Sequence, residues 1–287
     1  MLIITGATGQ LGRAVIENLL TRVDSAQIVA SVRDPAKATA FTSQGVTVRT
    51  GDFAEPNGLA AAFAGARQVL VTSVDQLGET ALRMHQAAIE AACAAGAQRV
   101  LYTSHMGAQA NSPFVPACDH AATEAILAGT GVPFTSMRHG FYAESAMHMI
   151  GHGLEAGEIR MPEDGPVSWT ARADLAEADA VLLANEGRLD GITLPLTAPE
   201  AITMADLAAI ASELTGREIK RVVLSDEAWR DEKVAQGVPA PMAEMLLGTF
   251  RAARRGDFAT IDPALEELLG RRPQTMRDVL AHKLKAA

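Results

Sequence analysis

Three glycines at three-residue spacing follow the first apolar run of this chain: Met1-Leu2-Ile3-Ile4-Thr5-Gly6-Ala7-Thr8-Gly9-Gln10-Leu11-Gly12. An amphipathic segment, Arg13-Ala14-Val15-Ile16-Glu17-Asn18-Leu19-Leu20, continues from them. Strand, tight turn and helix in that order make an anion site. The first backbone N–H groups of a helix lack intrahelical partners and sit at the positive end of its dipole. A pyrophosphate is the usual guest. In this reading Gly6 permits the turn, Gly9 lets phosphates approach the backbone, and Gly12 lets the helix pack close on the strand.

Other side chains gather at the ends of later apolar runs. Arg33 closes the second. An arginine there accommodates a 2′-phosphate on the adenine ribose, whereas a carboxylate would bond a free 2′-hydroxyl. Its guanidinium suits a phosphate in bidentate fashion. Asp34 arrives one position late, so NADP(H) is favoured over NAD(H). Asp52 can accept from the adenine amino group, with Phe53 packing nearby. Thr72-Ser73-Val74 and Thr103-Ser104 end two further runs and face the same crevice, because ligands of open α/β sheets lie outside the carboxyl ends of the strands.

The proton chemistry is unusual. A short-chain dehydrogenase would carry Tyr-x-x-x-Lys, the tyrosine as acid and the lysine lowering its pKa. The corresponding helix here reads Cys118-Asp119-His120-Ala121-Ala122-Thr123-Glu124. His120 and Glu124 lie four apart, on one helix face, either as an orienting pair or as a helix-stabilising hydrogen bond. His139 and Tyr142 follow the sixth run and should sit over the nicotinamide end, to donate a proton or stack a flat substrate. His139, Tyr142 and His120 are therefore the catalytic candidates. His139, Phe141, Tyr142 and Trp169 are the substrate candidates, Phe141 doubling as a seam residue and Trp169 as a lid or pocket wall. Glu144, His148 and His152 recur every four residues, but nothing else supports a zinc site and no metal is expected. Cys118 has a carboxylate neighbour in Asp119, which disfavours a thiolate.

These residues need a frame. Strand-like runs at 27–33, 46–49, 68–73, 99–104 and 132–138 alternate with helical ones at 35–44, 57–64, 79–95 and 119–129. The runs are short, apolar and mostly not alternating, as in a parallel sheet buried on both faces. The expectation is an α/β chain: a Rossmann-type doubly wound parallel sheet with a smaller α+β C-terminal substrate domain. Residues 1–150 form the NAD(P)-binding part, with a helix and a strand returning near 171–197, and 151–287 the smaller substrate-binding or lid part.

Composition bounds the rest. The 287 residues are 48% hydrophobic, ample for a sizeable core. A net charge of −9 argues against nucleic acid as a partner, and no apolar run approaches a membrane span. Two cysteines, with a chain that opens directly on a strand, point to a reducing cytoplasm. A monomer or homodimer acting on a small-molecule electrophile is expected.

Taken together, Thr5–Gly12, Arg33, Gly51-Asp52-Phe53, His120-x-x-x-Glu124 and Arg138-x-Gly140-Phe141-Tyr142 resemble the NmrA-like atypical short-chain dehydrogenases. The resemblance is strongest to members that reduce quinones and triphenylmethane dyes, and it runs over nearly the whole chain, including Gly237-Val238-Pro239-x-Pro241. It implies an NADPH-binding Rossmann domain with a smaller domain closing over substrate. It also implies a cofactor lining of Gly6, Thr8, Gly9, Gln10 and Leu11, of Arg33, of Ser73, Val74 and Asp75, and of Met137, Arg138 and onward to Tyr142. One position departs: these relatives carry asparagine where this chain has His139.

Two functions follow. The first is hydride transfer from NADPH to a quinone or similar conjugated electrophile, whose product is a delocalised phenolate needing little acid help. The second is a non-catalytic NADP(H)-binding redox sensor, which requires unequal affinity for the two cofactor forms. The missing Tyr-x-x-x-Lys disfavours a sugar-nucleotide isomerase.

Overall fold

Leu2 and Ile4 pack in one apolar cluster and Ile3 in another, because successive strand residues point to opposite faces. Ile28 and Ala30 against Val29 repeat the pattern, so the central sheet is covered on both sides. The computed structural model describes residues 1–286. Among them the sheet contains β1 (Leu2–Ile4), β2 (Ile28–Val32), β3 (Thr47–Thr50), β4 (Gln68–Val71), β5 (Arg99–His105) and β6 (Phe134–His139). Two short pieces, β7 (Phe141–Tyr142) and β9 (Trp169–Thr170), pair with each other, as do β8 (Glu158–Pro162) and β11 (Lys220–Leu224). The seventh sheet strand, β10 (Gly191–Ile192), joins the edge beside β6. The order β10-β6-β5-β4-β1-β2-β3 is parallel throughout, with its switch point between β1 and β4. Ligands bind at such a point.

One face carries α1 (Gln10–Leu19); α2 (Thr39–Ser43) adds Phe41 to the same cluster. The other carries α3 (Leu59–Ala62), α4 (Gly78–Ala94) and α5 (Val115–Ala128). After α6 (Ala143–Ala156) the chain returns to the first face as α7 (Arg172–Ala184), which packs Leu175 and Leu182 into the cluster of α1. A separate cluster unites α6 with α8 (Met204–Thr215), α9 (Asp226–Ala235) and α10 (Ala240–Arg254). Of the last two helices, α11 (Ala264–Leu269) belongs to the first cluster and α12 (Met276–Ala286) to the separate one. No helix of the described residues is long and apolar enough to cross a membrane.

Three elements differ from their sequence outlines. α5 starts at Val115 rather than near Asp119, since Pro116 in a first turn forfeits no intrahelical bond. The helix expected over 35–44 splits into a 3₁₀ turn, Pro35–Ala38, and α2. The strand expected in the returning segment is interrupted after β10, where Thr193 Oγ1 takes the Arg138 N–H at 3.0 Å, and it pairs with β6 again at Leu196, whose N–H donates to Arg138 O at 2.8 Å.

Candidate active site and cofactor cleft

The glycine loop has the geometry its spacing demands. Gly6 holds a left-handed φ of +59°, and its carbonyl accepts from Gly9 N at 2.8 Å. Gly9 precedes α1 and provides no side-chain cap, so the first N–H groups of that helix stay open. A Cβ on Gly12 would lie 2.5 Å from Gly6 O, so only glycine lets helix and loop meet. Leu11 is buried and can offer only its backbone N–H, whereas Thr8 is half-buried and Gln10 exposed at the loop. Thr72 buttresses the loop rather than facing a ligand: its N–H donates to Thr5 Oγ1 and its hydroxyl to Thr5 O, both at 2.9 Å.

At the adenine end, Arg33 is exposed directly after β2. The neighbouring Asp34 is spent locally, its Oδ1 accepting from Ala36 N at 3.0 Å to start the 3₁₀ turn. Cation and carboxylate are thereby separated in role, which fits a 2′-phosphate. Asp52 likewise accepts from Ala54 N at 2.9 Å through Oδ1, leaving Oδ2 free, and Phe53 packs on the core.

Beyond the switch point lies a cleft of about 650 Å³. The β4–α4 loop supplies Val74 and Asp75, and α6, α7 and α10 supply Met149, Arg172 and Leu246. A smaller cavity of about 180 Å³ is lined by Ser73, Ser104, His105, His139 and Tyr142. His120, Phe114, Pro116 and Phe141 line both.

His120 is the polar group these spaces share. Its Nδ1 lies 2.8 Å from the Tyr102 hydroxyl, and its Nε2 has no partner among the described residues yet is not sealed from solvent. Burial, then the neighbouring His105, His85 and His139, hold its pKa well below the ordinary value, so the ring is neutral. Glu124 does not pair with it. That carboxylate takes a bidentate bond from Arg138 (3.0 and 2.7 Å) and hydroxyl bonds from Ser104 (2.7 Å) and Ser136 (3.2 Å). The expected His120–Glu124 pair is thus corrected: a buried carboxylate prefers a cation and two hydroxyls to a neutral imidazole. The same contacts occupy Arg138, whose bond to Glu124 raises its pKa.

Strand alternation separates the β6 candidates. Arg138 turns to α5, and His139 to α7, where its Nε2 sits 2.8 Å from Asp179 Oδ1 with both side chains buried. Met137 is wholly buried in the α1 core, so its side chain cannot touch a ligand. Tyr142 lies under the Arg172 guanidinium, 4.7 Å from the ring centre. Burial and the nearby Asp179 raise its phenol pKa. Trp169 is no lid: it is 2% exposed and backs Phe141 at 5.1 Å. Glu144 accepts from Arg172 N at the start of α7 (3.2 Å), and His148 and His152 are exposed. No group of three metal-binding side chains occurs among the described residues.

Several site residues carry no local signal. His85 anchors the β4–α4 loop by accepting from Val74 N at 3.0 Å, and burial pushes its pKa down to about 4. His105 stacks on His120 at 5.9 Å; burial, then His139, lower its pKa to about 3. Arg172 reaches Gln10 from the far side of the cleft. Tyr102 reads as an ordinary member of an apolar run, His105 falls just past its end, and Arg172 reads as an ordinary helix start.

A model of the NmrA-like family matches residues 1–277. Quinone oxidoreductase 2 of Escherichia coli (strain K12) is 35% identical over 283 residues, 98% of this chain and 98% of its own length. The structure of an NADPH-dependent quinone oxidoreductase from Escherichia coli, complexed with NADPH, matches with a TM-score of 0.93 at 34% identity. It covers 99% of this chain and 100% of that one. Citrobacter sp. triphenylmethane reductase, complexed with NADP(H), matches with a TM-score of 0.91 at 32% identity over 99% of each chain. With a family match spanning nearly its whole length, on a sheet and glycine loop of the kind just described, this chain belongs to the NmrA-like family.

Proposed function

We propose that this protein is an NADPH-dependent reductase that passes hydride to a quinone or a similar conjugated electrophile. The coarser statement, an NAD(P)H-dependent oxidoreductase, rests on similarity to a quinone oxidoreductase over 98% of this chain and to an NADPH-complexed structure of an NADPH-dependent one over 99%. Residues of this chain fit the cofactor: the uncapped start of α1 for the pyrophosphate, Gly9 for its approach to the backbone, Gly12 for the close packing of α1 on the loop, and Arg33, unopposed by Asp34, for the 2′-phosphate. Hydride comes from NADPH when it is bound.

The observation that carries the finer reading is a neutral imidazole, His120, opening on a cleft with aromatic walls. Phe114 and Phe141, 5.5 Å apart, suit a flat ring. His120 Nε2–H can donate to the oxygen that gains charge. A quinone yields a delocalised phenolate, for which a placed donor suffices. A simple ketone yields a basic alkoxide, where a general acid is worth roughly 10²–10⁴-fold. His139 is committed to Asp179 and Tyr142 lies beneath Arg172, so His120 is the donor of choice among the three candidates, and Tyr142 forms a wall. In this reading α6 and α10, which supply part of the cleft lining, cover the substrate over the sheet's carboxyl ends. The test is NADPH oxidation against a panel of quinones, cationic dyes and simple alcohols. Turnover of the conjugated acceptors with little of the alcohols is expected. No turnover across the panel, with NADPH shown bound by calorimetry, would sink the proposal and leave the sensor reading.

A further inference from the structure

Tyr102 lies in the interior of β5 and is fully buried, yet it carries a hydroxyl. Its ring meets His85 edge-on at 5.3 Å and tilts against His120 at 5.7 Å. The hydroxyl lies 2.8 Å from His120 Nδ1, and the Thr123 side chain is its other polar neighbour. A phenol proton in a dry site must go to an acceptor, or the buried group pays its full desolvation penalty. Nδ1, at 2.8 Å, is well placed to be that acceptor. Thr123 Oγ1 is already engaged, donating to Asp119 O at 2.8 Å and facing His85 Nδ1 at 3.0 Å, which leaves Nδ1 the favoured acceptor.

We propose that Tyr102 is a positioning residue that holds His120 in the Nε2–H tautomer, aiming a fixed hydrogen-bond donor into the cleft. The inference rests on the reductase reading only for its effect on rate; the tautomer is argued from the Tyr102–His120 contact. Burial raises the Tyr102 pKa, so the phenol stays protonated and keeps donating. It also follows that His120 cannot replace an Nε2 proton by drawing one from Tyr102, because that would leave a buried phenolate. His120 therefore stabilises the developing oxyanion by a hydrogen bond, and the hydroquinone monoanion takes its proton from water. Atoms balance: one hydride enters the quinone, one solvent proton completes the hydroquinone, and the imidazole ends as it began. His85, donating from Nδ1 to Thr123 Oγ1 at 3.0 Å while accepting from Val74 N, ties the same wall to the cofactor-side loop.

The experiment is ¹⁵N NMR of histidine-labelled full-length protein, with the His120 signals assigned by their loss in His120→Ala, combined with steady-state kinetics. Wild type should show His120 as Nε2–H. Tyr102→Phe preserves the buried ring, so the fold should survive, as near-ultraviolet circular dichroism would check. It should shift His120 towards Nδ1–H and lower kcat, by up to the roughly 10²–10³-fold of a fully lost oxyanion donor, with NADPH affinity unchanged. In a His120→Ala background the same change should add nothing. An Nδ1–H signal in wild type overturns the proposal. So does a Tyr102→Phe variant with unaltered tautomer and kcat, or one whose rate loss persists without His120. If wild type turns over no quinone at all, a tautomer shift in Tyr102→Phe still supports the positioning role while the reductase reading fails.

Discussion

Arg33 and Asp34 show how adjacent residues divide a task. Asp34 turns its carboxylate onto Ala36 N, and Arg33 is left exposed at the end of β2. A charge-assisted bond to phosphate is worth about 1.5–3 kcal/mol. Arg33→Ala should therefore raise the KM for NADPH roughly tenfold or more and leave that for NADH nearly unchanged. Equal weakening of both cofactors would show that Arg33 does not read the ribose. This residue was legible in the sequence because its position depends only on where one strand ends. The His120 and Glu124 roles were not. Their four-residue spacing suggested a pair, but each is claimed by groups from other elements: Tyr102 on one, Arg138, Ser104 and Ser136 on the other. Local spacing says which residues share a helix face, not what faces them.

At the scale of elements, the turn from β1 into α1 is the tightest constraint. The first cluster buries Leu11, Val15, Ile16 and Leu19 along one side of α1, which draws the helix down onto the sheet. Gly12 is where that approach leaves no room. Gly12→Ala should cost about 1–3 kcal/mol of stability through overpacking, and should abolish tight NADPH binding, since the obstructing atom is the backbone oxygen of Gly6 itself. Gly58→Ala is the built-in comparison: its added Cβ meets nothing within 4 Å. Similar losses of thermal stability and binding in both variants would refute the assigned role of Gly12. The alternation of strands and helices through β6 was readable because apolar runs of this length have few other solutions. The later elements were less so. β7 and β9 hold two residues each, and they pair across a gap in sequence that no short-range pattern records.

Across the whole molecule, the cleft's polar wall carries a consequence for acid stability. His85, His105 and His120 all have folded pKa values below the ordinary 6.5, with burial the largest cause in each. In the unfolded chain they take up protons near 6.5, whereas the folded protein resists until about pH 4 at His85 and about pH 3 at His105. The unfolded state thus binds more protons between those limits, and stability falls as pH falls from 6.5. Each histidine contributes about 1.4 kcal/mol per pH unit over its window. Urea midpoints measured from pH 7.5 to 4.5 should be level above 6.5 and drop steeply below it. A level profile down to pH 5 would mean that these rings are not held neutral.

The amino-acid sequence by itself determined the βα alternation, the glycine turn between β1 and α1, the arginine at the end of β2 and the absence of a tyrosine–lysine pair. Each depends on neighbours within a few residues, where backbone geometry and hydrophobic period act directly. The tertiary structure alone decided which side chains became partners. It set Tyr102 on His120 and Asp179 on His139, withdrew Glu124 to Arg138, buried Trp169 behind Phe141, and brought Arg172 across to Gln10. Those pairings join residues on different strands and helices, and a buried polar group takes its partner from whatever packing brings within hydrogen-bond reach.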